Sequence, residues 1–207
     1  MIVGLTGSMA SGKTTVAKLL TARGFRCVDA DEAAHWIIRV PEVRDKLAAA
    51  FGSDILDVSG SIDRTALAKK AFASKEATAL LNSVTHPAII ALMLSVAKRL
   101  ITEAPERPVL MDVPLLFESG MDQYCDRTVT VAADDEVRYL RIMLRDGITR
   151  EEAAKRISKQ MPQSEKCALA DAVIDNNGGL AQLASNVDKA LRALGLPPVP
   201  GCERRQG

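Results

Sequence analysis

Apolar residues along the chain follow two spacings. Residues 2–5 form a short apolar run ending at Thr6-Gly7, and in 14–22 the apolar positions Val16, Ala17, Leu19 and Leu20 recur at helical spacing. The pattern predicts a strand, a glycine-bearing loop and a helix. Gly24 closes that helix, and 25–28 form a second short strand leading into Asp29-Ala30-Asp31. From 31 to 105 the periodicity becomes helical, over 32–38, 43–51, 65–72 and a long stretch 76–102 that Pro87 is expected to interrupt. This segment reads as a mostly helical insert. The runs 108–113 and 128–132 are continuously apolar, as in strands that a parallel sheet buries on both faces, so the sheet resumes there. A helix over 134–144 follows, then a capping box at Thr149-Arg150-Glu151-Glu152 opening a helix to Gln160 that Pro162 closes. Residues 172–175 form a last strand, before a turn at Asn176-Asn177-Gly178-Gly179 and an amphipathic helix to Leu194. The tail with Pro197, Pro198 and Pro200 is expected to be loose.

The 207 residues suit one large domain or a core with a substantial insert, at roughly 100–200 residues per domain. Twenty-seven basic against 26 acidic residues leave a charge of +1, which argues against general adhesion to nucleic acid or to a membrane. Any phosphate chemistry must be local. Aromatic residues are 3% of the chain, too few for single-strand stacking platforms. Four scattered cysteines without a CxxC pair argue against a zinc site or a disulfide framework and suggest a cytoplasmic protein. The chain opens directly into a strand, with no signal-peptide pattern. Its longest apolar run, 88–97, is about half a bilayer span and is closed by Lys98 and Arg99, so no membrane span is expected. Trp36, Phe51 and the stretch with Met93, Leu94 and Val96 are expected in the core.

Gly7-Ser8-Met9-Ala10-Ser11-Gly12-Lys13-Thr14 matches the phosphate-loop pattern GxxxxGK(S/T), in the strand-to-helix context that this chemistry requires. Gly7 and Gly12 permit backbone angles that turn amides toward a phosphate, and the helix N-terminus adds its dipole. Lys13 supplies a charge for the β and γ phosphates; the Thr14 hydroxyl suits Mg²⁺, with Thr15 packing or capping behind it. The plainer alternative is an ordinary turn rich in small residues. Asp29 and Asp31 lie at a strand end, where open α/β sheets bind ligands; if strand geometry persists they point in opposite directions. Asp31 is the candidate base for an attacking hydroxyl, and a pure helix cap is its plainer role. Asp112 ends an apolar run as a Mg²⁺-holding carboxylate would, through a water. Arg138, Arg141, Arg145, Arg150, Lys155, Arg156 and Lys159 form a local basic excess. Such a run is usually a solvated helix face, but beside a phosphate loop it can be a lid, with Arg141 and Arg145 at i, i+4 against the transferring phosphoryl group. His35 and His86 have no metal-ligand spacing with any cysteine and read as polar or capping groups.

Several segments together resemble the dephospho-coenzyme A kinase family along nearly the whole chain. They are Gly4-Leu5-Thr6-Gly7 with the loop to Thr14, Val28-Asp29-Ala30-Asp31, Leu81-Asn82-Ser83-Val84-Thr85-His86-Pro87, Val113-Pro114-Leu115-Leu116-Phe117-Glu118, and Asp171-Ala172-Val173-Ile174-Asp175-Asn176-Asn177-Gly178. The resemblance implies a three-layer α/β/α phosphate-loop core with a parallel sheet (1–30, 106–140 and 167–196), a helical acceptor domain (31–105) and a lid (141–166). It implies ATP- and Mg²⁺-dependent phosphorylation of the ribose 3′-hydroxyl of dephospho-coenzyme A by a monomer or weak homo-oligomer. Asp31 would be the base, Lys13 and Arg141 would act on the transferring group, and Arg145 and Asn177 would lie near ATP. Thr6, His35, His86, Leu115 and Glu118 would lie near the acceptor. Ser8 and Ala10 depart from the family, whose members usually carry glycine at both positions, which could shift nucleotide affinity. Two other readings stay open: another small-metabolite or nucleoside-monophosphate kinase on the same core, or a nucleotide-dependent switch.

Overall fold

The structure, a computed structural model, describes residues 1–196; the expectation for the tail and the residue Cys202 lie outside the described residues. The chain divides into two compact units, one formed by Met1–Val28 and Ala97–Gly207, the other by Asp29–Val96.

The first unit is built on a five-stranded sheet of order β2-β3-β1-β4-β5: β1 (Ile2–Gly7), β2 (Arg26–Asp29), β3 (Val109–Asp112), β4 (Arg127–Ala132) and β5 (Ala172–Asp175). The central β1 pairs in parallel with β3, Leu5 opposite Asp112, and with β4, Gly7 opposite Val131, while β4 pairs in parallel with β5. Every residue of β3 is buried, as continuous apolar strands should be when helices cover both faces. α1 (Lys13–Ala22) and α9 (Leu180–Ala193) complete one core: Val16, Leu20, Leu183 and Val187 pack with Val3, Leu5, Val129, Val131 and Ile174. Arg23, the C-cap of α1, donates to Asp188 on α9 at 2.6 Å.

The second unit has its own small core, Ile37, Val43, Leu47, Ile55, Leu67 and Ala71, drawn from α2 (Ala30–Ile37), α3 (Pro41–Phe51), a 3₁₀ turn (Ser53–Ile55) and α4 (Arg64–Ala71). Leu81, Val84, Ile89 and Leu92 of α5 (Lys75–Glu103) pack against it.

Two expectations for the helical segment need correction. Pro87 does not interrupt α5, which runs as 29 helical residues through it. Proline removes one helical hydrogen bond, but apolar contacts on both sides of Pro87 hold the two halves in one helix. That continuity also makes α5, among the described residues, long and apolar enough to cross a membrane by length and composition, which the broken run had hidden. Trp36 is not core: on α2 the buried stripe is Ala33 and Ile37, and the indole faces outward at 56% exposure with Arg39 over its ring at 5.2 Å.

The remaining helices are α6 (Asp135–Asp146), α7 (Arg150–Ile157) and α8 (Gln163–Leu169). The Thr149–Glu152 capping box is present, with Glu152 N donating to Thr149 Oγ1 at 3.3 Å and Thr149 N donating to Glu152 Oε2 at 2.9 Å. α7 stops at Ile157, short of Gln160, and α8 follows Pro162 where no element was expected, because proline restricts the chain before it and suits a helix start after it.

Candidate active site

The phosphate loop joins the end of β1 to α1. Gly12 caps α1 at φ +93°, and no side chain covers the helix's first amides. A side chain at this position would run into the Asn176 carboxamide, so conformation and space both require glycine. Side chains from distant elements hold the loop's carbonyls. Arg138 Nε donates to Met9 O at 3.1 Å, Arg141 Nη1 to Ala10 O at 3.2 Å and Ser11 O at 3.4 Å, and Asn176 Nδ2 to Ser11 O at 2.7 Å. Arg141 Nη2 also donates to Asn176 O at 2.9 Å, locking the two braces together, and Gln160 Oε1 accepts from Met9 N at 2.9 Å. With its carbonyls satisfied this way, the loop and the uncapped α1 form an anion cradle. The hydroxyls of Ser8 and Ser11 are buried without a hydrogen-bond partner among the described residues. Buried hydroxyls left unpaired are costly, and a phosphate is a chemically suitable partner for such donors.

Ala10 is the one non-glycine residue with positive φ among the described residues, at 61°. An L-residue in this region costs roughly 1–2 kcal/mol, while glycine loses about 0.4–1 kcal/mol through the unfolded chain. Ala10→Gly is therefore expected to stabilise the protein by about 0.5–1 kcal/mol, raising Tm by roughly 1–4 °C for a domain of this size, as measured by calorimetry.

Lys13 forms an ion pair with Asp112, a buried carboxylate at the end of β3. Thr14 stands exposed in the first turn of α1. The Lys13 ammonium, the Thr14 hydroxyl and the Asp112 carboxylate are chemically suited to phosphate and to a hard divalent cation.

Other expected residues are placed differently. The Thr6 side chain is fully buried and donates to Pro114 O at 3.0 Å, so it fixes the segment after β3. Glu118 accepts from Lys166 Nζ at 2.8 Å; Lys166 is itself wholly buried and donates also to Pro114 O at 2.9 Å. Leu115 is exposed at 41%. Arg141 and Arg145 part company: Arg141 braces the loop, while Arg145 is exposed and paired with Asp146 at 2.7 Å. Arg145, and to a smaller degree Arg156, hold the Asp146 carboxyl below its usual range. The expected lid boundary at 141 falls inside α6. Asn177 accepts from Asp134 N at 2.7 Å and donates to Asp134 and Asp175, closing the turn after β5.

Asp31, His35 and His86 belong to the second unit. Asp29, not Asp31, is the N-cap of α2: its Oδ1 accepts from Asp31 N at 2.7 Å and Glu32 N at 3.1 Å. The expected strand alternation fails because the helix starts at Ala30. Asp31 instead lines a cavity of about 410 Å³ whose wall is mainly apolar, with Ile37, Leu67, Phe72, Leu81 and Ile89. His35 shares that wall, and its Nε2 lies 2.6 Å from Arg64 Nη2. The wall takes Thr85, and not its neighbour His86, whose burial pushes its pKa below the usual histidine value.

Sequence reasoning passed over Asn176, Arg138, Gln160 and Lys166 as working residues. Arg138 was visible only as part of a basic run, although its side chain is 3% exposed. Nothing local to Lys166 or Gln160 marks either one, since their partners lie 48–52 and 151 positions away.

The chain is similar to known proteins over nearly its whole length. The protein-family model described as dephospho-CoA kinase matches residues 1–182. A dephospho-CoA kinase of Fusobacterium nucleatum is 42% identical over 189 residues, covering 91% of this chain and 96% of the relative. A solved structure from Thermus thermophilus superposes with a TM-score of 0.79 at 36% identity, over 94% of this chain and 97% of that one. A dephospho-CoA kinase structure from Campylobacter jejuni gives 0.70 at 29% identity, over 93% and 96%.

Proposed function

Because the chain belongs to the dephospho-coenzyme A kinase family, we propose that it transfers the γ-phosphoryl group of ATP to the ribose 3′-hydroxyl of dephospho-coenzyme A, releasing coenzyme A and ADP. The observation that carries the reading is the division of labour between two carboxylates. Asp29 is spent on the α2 cap, which leaves Asp31 on the wall of a cavity of about 410 Å³.

In this reading the Asp29–Val96 unit binds the acceptor, and the segment 141–166 acts as a lid. The phosphate loop receives the β and γ phosphates on its amides, and Lys13 exchanges Asp112 for phosphate oxygens. Asp31 orients the 3′-hydroxyl and accepts its proton. As the bond from that oxygen to the γ-phosphorus forms, the bond from phosphorus to the β,γ-bridging oxygen breaks and ADP carries the leaving charge. Positioning supplies most of the rate. Mg²⁺, which Thr14 and Asp112 would hold, adds charge neutralisation to the phosphates when bound. Arg141 keeps the loop in shape through its backbone hydrogen bonds. Cys125, whose thiol burial pushes up to about 12, and Cys167 are free.

The deciding experiment is a coupled ADP-release assay in which dephospho-coenzyme A, adenosine monophosphate and shikimate compete as acceptors. A strong preference for dephospho-coenzyme A is expected. ADP release that is indifferent to acceptor would instead favour a nucleotide switch.

A further inference from the structure

A second cavity in the Asp29–Val96 unit has no role in the chemistry above. Its volume is about 470 Å³, and His35, Arg39, Arg44, Ser59, Ser61 and Arg64 line it without any carboxylate. In a chain of net charge +1 this is a marked local concentration of guanidinium groups.

Carboxylates near these groups are already engaged. Asp57 Oδ1 accepts from Ser59 N at 2.8 Å, Ser59 Oγ at 2.6 Å and Ser61 N at 3.0 Å, and these bonds hold its pKa below the usual carboxylate value. Asp45 pairs with Arg44 at 2.7 Å, but that pair is solvent-exposed and such pairs exchange partners at little cost. Arg64 can only donate, and its Nη2 lies 2.6 Å from His35 Nε2.

His35, Ile38 and Arg64 are common to this cavity and to the one that Asp31 lines. Asp31 and His35 stand at i and i+4 on α2, about 5–6 Å apart at their β carbons. That is the scale of a ribose from its 3′ oxygen to its 5′ phosphate. An acceptor whose 3′-hydroxyl meets Asp31 can thus reach the arginines with its 5′-linked anion through the wall that the two cavities share.

We infer that the arginine-lined cavity binds the diphosphate joining the adenosine and pantetheine halves of the acceptor, with Arg64 and Arg44 as its principal donors. The inference rests on the dephospho-coenzyme A reading. It gives acceptor selection a physical basis, because planar guanidinium forks recognise phosphate oxygens in pairs and an acceptor lacking the diphosphate leaves them unmatched.

The test is calorimetric titration of the full chain, without ATP, with dephospho-coenzyme A and with adenosine. The proteins are wild type, Arg64→Gln, Arg44→Gln and, should either glutamine variant fail to fold by circular dichroism, the corresponding lysine variant. The expected result is a rise of about tenfold in Kd for dephospho-coenzyme A in each glutamine variant, a smaller rise in a lysine variant, and adenosine binding within twofold of wild type. Unchanged binding of dephospho-coenzyme A, or equal weakening for both ligands, overturns the subsite. Wild-type protein that binds dephospho-coenzyme A through Arg64 but releases no ADP with it keeps the subsite and overturns the kinase reading. Failure of wild type to bind dephospho-coenzyme A overturns both.

Discussion

Asp31→Asn is expected to lower turnover by about 10²–10⁴-fold, the usual worth of a positioned acid or base, while leaving ATP affinity unchanged. Asparagine preserves size and helix position but cannot take the acceptor's proton. The contrast with Asp29 makes the expectation sharp. Asp29 holds the first amides of α2, so Asp29→Ala should cost about 0.5–2 kcal/mol of stability and a much smaller share of turnover. Steady-state kinetics with both substrates varied, together with urea denaturation, separates the two. Near-normal turnover in Asp31→Asn would reduce that residue to a polar member of the cavity wall.

The second large effect is expected at Glu118, and it is an effect on stability. Lys166 is wholly buried, with Glu118 Oε1 at 2.8 Å and Pro114 O at 2.9 Å as its partners. Glu118→Ala leaves an ammonium ion out of water without its counter-charge, a loss of about 3–5 kcal/mol, or on the order of 10 °C in Tm. Lys166→Met should be far milder, because it removes the charge along with the need to balance it. Thermal unfolding of both variants checks this asymmetry. If Glu118 instead contacts the acceptor, its replacement would raise KM for the acceptor and leave Tm in place.

What could be read from the sequence was whatever short-range geometry dictates. The phosphate loop is legible because the backbone angles and amide directions it needs restrict residue types at fixed spacing. The Thr149–Glu152 capping box and the strand Ala172–Asp175 are legible for the same local reason. Residue type misled at Trp36, where size suggested core and helix phase turned the ring outward. It misled again at Pro87, where tertiary contacts outweighed one missing hydrogen bond. The braces on the loop were beyond local reading: Arg138 and Asn176 reach residues 129 and 165 positions away, and only the folded sheet brings them together. That Asp29 and not Asp31 caps α2 could not be read locally either, since it depends on where α2 begins.

The order of strands has a consequence for how the protein is made. β1 emerges first from the ribosome, yet its neighbours are β3 and β4: Ile2 must wait for Val109, and Val3 for Arg127. Until then its unpaired edges have no native partner, the condition under which slow, non-local sheets risk misassembly. Residues 29–96, by contrast, are contiguous and carry their own core, so they can condense during that delay. The helical unit is thus complete in sequence before the sheet's central strand can meet its neighbours, and β4 and β5 are the last strands of the sheet to be made.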